Sequence, residues 1–143
     1  MKPEVDQILG LSAQQLMGVL GPQLPAGYAQ GSASILGVMM MLSAQEYDRA
    51  ADIRVSENVH MRALFREVAA TASDSDLRLA LAAAAETRDA SLKISALNAT
   101  NAELRQLMIR LQTHAEEKGD RALERRIWDV LKASADRRLL RLA

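Results

Sequence analysis

The residues best suited to chemistry lie near the middle of the chain, where a helical pattern places polar side chains among apolar ones. Arg54 and Asn58 fall within about 20° of the middle of the apolar face that joins Tyr47 to Phe65. Asn101 interrupts a second apolar stripe in the same way. A buried charge or amide destabilises a fold unless it is hydrogen-bonded. We therefore expect these groups to bond to one another, to a ligand or to water.

Two interpretations of this polar cluster stay open at this point. In the first, Arg54, Glu57, Asn58 and Asn101 form an internal network that fixes helix register or a dimer interface, and Arg54 and Glu57 are close enough in sequence to pair. In the second, they line a pocket for a small acid, in which Arg54 binds a carboxylate or phosphate and Tyr47 orients it. The candidate ligand-binding residues are Tyr47, Arg54, Glu57, Asn58 and Asn101.

A metal site is a weaker alternative at the same place. Glu57 and His60 have the spacing at which ferritin-like bundles present two metal ligands on one helix face. Such sites need a second motif of this kind, and His114 precedes Glu117 instead of following an acid. His60 also lies about 140° away from the Phe65 direction. We predict no metal site, with Glu57 and His60 as the ligands if one exists.

Composition excludes several other kinds of chemistry. The chain has no Cys, which rules out disulfides, thiol nucleophiles and cysteine-ligated clusters. Its 18 basic and 18 acidic side chains give a formal net charge of +0, whereas nucleic-acid binding normally shows as a basic excess. The sequence has no Gly-x-Ser-x-Gly motif and only 2 His. We expect no nucleic-acid partner and no cofactor, and a binding role in preference to an enzymatic one.

Helices must position all of these residues. Ala, Leu and Met dominate the apolar residues and aromatics make up 3%, which favours an all-α chain. Chain breakers divide it into a helical bundle of about five helices, which we expect to form a single domain, residues 1–143. The first helix is predicted to end at Gly21-Pro22, and the second to run from about residue 30 to 72. The third should follow Ser73–Asp76, and the fourth should begin near Ser91 or Ser95. The fifth should follow a break at Gly119 and a cap at Asp120.

The long second helix predicts a homodimer. A helix of residues 30–72 would be about 64 Å long, whereas a compact sphere of this chain length is about 37 Å across. The helix must bend near Gly37 or Ser43, or a second copy of the chain must cover it, which is the arrangement we favour.

The uncharged N-terminal third must also be buried. No Asp, Glu, Lys or Arg occurs from Gln7 to Gln45, and the most apolar part of this stretch is shorter than the ~20 residues of a membrane span. We expect it to pack against other helices and not in a membrane. Acidic residues in place of a basic signal region predict a cytoplasmic protein.

The sequence favours a non-enzymatic homo-oligomeric interaction or adaptor protein, a homodimer with a possible further protein partner. A bundle that binds a small anionic ligand is the alternative. A ferritin-like metal-binding protein is the third possibility.

Overall fold

The computed structural model describes residues 3–140, which form five α-helices and no strand. The helices are α1 (Val5–Gln15), α2 (Tyr28–Ala69), α3 (Ser75–Ala85), α4 (Ile94–Lys118) and α5 (Arg121–Arg137). The predicted all-α bundle with a long second helix is confirmed. None of the helices in residues 3–140 combines the length and the hydropathy that crossing a bilayer requires.

The connection between α1 and α2 differs from the prediction. The first helix was expected to reach Gly21-Pro22, but α1 ends at Gln15 and the next five residues, Leu16–Leu20, form a π-helical segment. A short 3-10 turn, Gly21–Gln23, contains the proline and ends this run. Proline fits there because it lies at the start of a helical turn, where its missing N–H is not needed. In contrast, α2 is one continuous helix of 42 residues.

The ends of the later helices follow their capping residues. The Asp74 carboxylate accepts a hydrogen bond from Leu77 N–H at 2.8 Å at the start of α3, and Asp120 accepts one from Leu123 N–H at 3.0 Å at the start of α5. Gly119 ends α4 with a φ of 64°, a left-handed conformation that glycine adopts without strain. The predicted break at Gly119 and cap at Asp120 are confirmed.

The chain divides into two compact units. The first unit comprises Met1–Ala50 and Leu139–Ala143, and the second comprises Ala51–Arg138. Helix α2 supplies residues to both. The expectation of a single domain stays a prediction.

The second unit has a conventional apolar core. Its largest fully buried apolar side chains come from all four of its helical segments: Phe65, Leu81, Leu97, Leu111 and Ile127. Full burial of each contributes about 1.5–3 kcal/mol relative to exposure. This core holds the facing sides of α2, α4 and α5 together, and those sides carry the polar residues singled out from the sequence.

Candidate functional site

Glu57 on α2 is the centre of a buried polar network in the second unit and is 2% exposed. Arg138, just after α5, donates from Nε to Oε1 at 2.6 Å and from Nη2 to Oε2 at 2.8 Å. Ser134 Oγ donates to Oε1 at 2.6 Å, and Arg105 Nη2 donates to Oε2 at 3.3 Å.

These contacts decide the charge of Glu57. Burial raises its pKa, but the hydrogen bonds from Arg138 and Ser134 and the charges of Arg138 and Arg105 outweigh burial and lower the pKa to about 2. Glu57 is therefore ionised at neutral pH and acts as a fixed hydrogen-bond acceptor. A carboxylate that holds no proton has none to donate in acid catalysis.

Two buried amides extend the network from Glu57 across α2 and α4. Asn101 Nδ2 donates to Glu57 Oε2 at 3.1 Å and to Asn58 Oδ1 at 2.9 Å. Its Oδ1 accepts from Arg105 Nε at 2.8 Å. Asn58 is fully buried, and its Nδ2 donates to Asp89 Oδ1 at 2.9 Å. The buried polar groups of the two apolar stripes thus bond to one another, one of the three outcomes expected for them.

Asp89 connects the network to a second ion pair. It lies in the loop between α3 and α4, and Arg62 Nη2 donates to its Oδ1 at 2.8 Å. Arg62, 7% exposed, also donates from Nε to Thr87 Oγ1 at 3.0 Å. Burial raises the pKa of Asp89, but the hydrogen bonds from Arg62 and Asn58 hold it below its usual value. The loop is therefore fastened to α2 by charge-assisted bonds.

The network leaves little room or bonding capacity for a ligand. Within residues 3–140, every buried side-chain nitrogen and oxygen of the non-exposed residues has a hydrogen-bond partner. The cavity beside Glu57, also lined by His60, Arg105, Ser134 and Arg137, measures about 10 Å³. A space of that size holds about one water molecule. A small carboxylic acid is larger than this cavity.

Two of the predicted ligand-binding residues lie outside this hydrogen-bonded centre. Arg54 is partly exposed, and its Nε donates to Asn98 Oδ1 at 2.5 Å on α4. Tyr47 belongs to the first unit and is 54% exposed. Of the five predicted residues, the structure therefore brings Glu57, Asn58 and Asn101 into direct contact. A binding role for the set stays a prediction.

The proposed alternative metal ligands point to different partners. His60 Nδ1 lies 2.6 Å from the Ser56 carbonyl oxygen, and its Nε2 lies 3.2 Å from Arg137 Nη2. With a ring hydrogen on Nδ1, that nitrogen donates to the carbonyl oxygen and Nε2 accepts from the guanidinium. Glu57 is occupied by the arginines described above. In the part of the chain that the structure describes, no three His, Cys, Asp or Glu side chains are grouped to hold a metal ion.

The first unit has the opposite distribution of apolar residues. In residues 3–50 the buried positions are all small: Ala13, Gly21, Ala33, Gly37 and Ala50. Eleven large apolar or aromatic side chains in the same range are 38–93% exposed: Val5, Ile8, Leu11, Val19, Leu20, Leu24, Tyr28, Ile35, Leu36, Met39 and Tyr47. An isolated helical pair would normally turn such side chains inward.

A close helix contact explains why small residues are inside. A Cβ at Gly37 on α2 would collide with the Met17 side chain and lie 3.5 Å from the Ala13 carbonyl oxygen. An added Cβ at Gly21 would lie 3.9 Å from Ala33 Cβ. At Gly37 the Met17 side chain occupies the space that a Cβ would take, so only glycine fits there. The other large apolar side chains of residues 3–50 are half-buried or lie exposed on the outer faces.

One of these outer faces is concave. A groove of about 820 Å³ in the first unit is lined by apolar residues and by uncharged polar ones: Leu11, Ser12, Gln14, Gln15, Leu16, Val19, Leu20 and Met40. A second groove of about 490 Å³ is lined by Leu9, Met39, Leu42, Ser43, Glu46, Tyr47 and Leu140. The larger groove contains no charged side chain, which makes it a candidate surface for another apolar helix.

Sequence reasoning missed the basic half of the polar network. Arg62 and Arg105 follow the two buried asparagines by four residues each, and Arg138 follows Ser134 by four. On a helix this spacing places two side chains next to each other. A search for arginines one turn beyond each predicted buried polar residue would have found Arg62 and Arg105. Asp89 lies in a loop, where no periodic signal exists.

No protein-family model, curated protein or solved structure matches this chain.

Proposed function

We propose that the protein is a homo-oligomeric interaction protein whose first unit packs against a second copy of the chain. The observation that supports this is the packing of the first unit, whose fully buried positions are all alanine or glycine while eleven large apolar or aromatic side chains are exposed. Such a surface in water is unfavourable unless another surface covers it.

The exposed area is suitable for a stable dimer. Burying a large apolar side chain contributes about 1.5–3 kcal/mol, and each Å² of buried apolar surface contributes about 25 cal/mol. One such side chain therefore has roughly 60–120 Å² of apolar surface to bury. Eleven such side chains at about half exposure present roughly 500 Å². One partner in a standard interface buries about 800 Å², of which about 60% is apolar. The first unit as a whole therefore exposes about as much apolar area as one side of a standard interface buries.

The charge distribution favours a second copy over a charged partner. The stretch from Gln7 to Gln45 has no acidic or basic side chain. It therefore presents nothing to attract a charged macromolecule, and nothing to repel an identical surface. The same lack of charge makes association insensitive to salt.

The polar network has a supporting role in this proposal. Its buried charges and amides are paired with one another, and such networks favour one arrangement of the helices over alternatives. We propose that it fixes the second unit as a rigid base. A cytoplasmic location and a further protein partner remain predictions.

Sedimentation velocity and native mass spectrometry of the untagged chain test the proposal. We expect a dimer at about 10 µM chain, with a dissociation constant that changes less than about twofold between about 50 and about 500 mM NaCl. A monomer at about 100 µM would overturn self-association. A strongly salt-dependent dimer would place the interface on charged surface instead. Native spectra also report a retained small acid, which would favour the ligand-binding alternative.

A further inference from the structure

We propose that the outer face of α1 and the π-helical segment is the surface on which the second copy docks, with the two copies related by a two-fold axis. This inference rests on the proposed self-association and names the surface responsible. The surface is a stripe of four residues, the α1 stripe: Ile8, Leu11, Gln15 and Val19. Their positions follow helical spacing along one side, and all four are exposed, Leu11 by 65%.

The π-helical segment extends this stripe. Its hydrogen bonds close a wider turn than those of an α-helix, so each residue advances less around the axis. Val19 is thereby aligned below Leu11 and Gln15. Leu20, which α-helical spacing would turn to the half-buried side with Leu9 and Leu16, stays 49% exposed. Such π-helical turns inside or beside α-helices occur frequently at functional sites.

The shape of this face suits a helix and not a single side chain. The 820 Å³ groove includes Leu11, Gln15 and Val19 of the stripe and is bordered by Met40 of α2. A second α1 crossing here would insert its own Leu11 into the groove of the first, as ridges fit into grooves in helix packing. The unbranched Met40 side chain can adapt to the inserted residue.

The absence of charged side chains in this groove favours a second copy as its occupant. At a two-fold axis each residue near the axis meets itself, which repels when the residue is charged. The large groove has no charged lining residue, whereas the smaller groove of the first unit contains Glu46. Gln15, near the middle of the stripe, carries both a donor and an acceptor and can therefore bond to its own copy.

Aspartate substitutions at three residues of nearly equal exposure locate the interface. Leu11 on the stripe is 65% exposed, Ile35 on α2 of the same unit is 63% exposed, and Leu79 on α3 of the second unit is 67% exposed. We expect Leu11→Asp to raise the dimer dissociation constant about 100-fold or more, because both copies carry the new charge at the interface. Leu79→Asp should leave it unchanged. Circular dichroism verifies that each variant keeps its helix content.

A single engineered cysteine tests the symmetry directly, because the chain has no Cys of its own. Gln15→Cys should form a disulfide-linked dimer under mild oxidation, since two cysteines near the axis come within bonding distance. Gln106→Cys is the matched control, an exposed glutamine on α4 of the second unit. It should crosslink at least about tenfold more slowly.

The outcomes separate this inference from the proposed function. A wild-type monomer overturns both. A wild-type dimer that survives Leu11→Asp but is lost in Ile35→Asp leaves self-association standing and overturns the docking surface. A dimer lost in Leu11→Asp with no crosslink in Gln15→Cys overturns the two-fold arrangement. Binding of the wild-type monomer to phosphatidylcholine vesicles would replace the second copy with lipid as the occupant.

Discussion

Replacing Glu57 with glutamine tests the polar network most directly. The pKa of Glu57 falls from an ordinary 4.5 to about 2 in the folded protein, and at about 1.4 kcal/mol per pKa unit this amounts to about 3 kcal/mol of folding free energy. In Glu57→Gln the side-chain NH₂ would face the donors of Arg138 or Arg105. We therefore expect the free energy of unfolding at pH 7 to fall by about 3 kcal/mol.

The stabilisation has a defined pH window. Because the folded pKa is depressed, the contribution of Glu57 is fully present above about pH 5 and is lost as pH falls towards 2. Relative to pH 7, the stabilisation by Glu57 should be smaller by about 1 kcal/mol at pH 4 and by about 2 kcal/mol at pH 3. The difference in unfolding free energy between the wild type and Glu57→Gln should shrink by these amounts.

Urea denaturation at pH 7, 4 and 3, followed by circular dichroism at one chain concentration, measures this difference. Glu103→Gln is the control, since Glu103 is an exposed glutamate on α4, and its substitution should change stability by less than about 0.5 kcal/mol at each pH. A wild-type advantage over Glu57→Gln that stays constant from pH 7 to pH 3 would refute the electrostatic argument. A variant as stable as the wild type at pH 7 would refute the network itself.

Four further substitutions test the close helix contact and two helix ends by the same denaturation assay. Gly37→Ala should destabilise the protein by about 1–3 kcal/mol because Met17 must move, whereas Gly31→Ala, with open space around it, should stabilise by up to about 1 kcal/mol; equal effects would contradict the close approach. Asp120→Ala should destabilise by about 1 kcal/mol through loss of the α5 cap, and an unchanged midpoint would exclude that role. Gly119→Ala should also destabilise by about 1 kcal/mol because φ is 64°, and a variant as stable as the wild type would contradict the left-handed turn.

The sequence was sufficient to predict the architecture because its breakers and caps are local signals. Asp120 and Gly119 act on their own backbone, so their effect does not depend on the rest of the fold. The π-helical segment was not predictable in this way. No residue of Leu16–Leu20 is specific to π-helical bonding, and the close contact at Gly37 that accompanies it is tertiary.

The candidate site was predictable only in part, for a related reason. Asn58 and Asn101 were identified because each is polar on an apolar stripe, which is a one-dimensional signal. Asp89 lies in a loop and joins the network through the fold alone. Tyr47 shares a helix face with the buried Phe65, yet it belongs to the other unit and is exposed. Periodicity gives the direction of a side chain but not what lies opposite it.

The alanine and glycine contact between α1 and α2 has a consequence for how the first unit folds in the cell. Burying side chains as small as Ala13 and Ala33 contributes little free energy, so in the proposed dimer this helical pair would depend on the second copy for much of its order. Its folding is then governed by mass action, and amides in α1 should exchange hydrogen more slowly as the chain becomes more concentrated. The abundance of the protein would thereby set the share of chains in which α1 resists proteases.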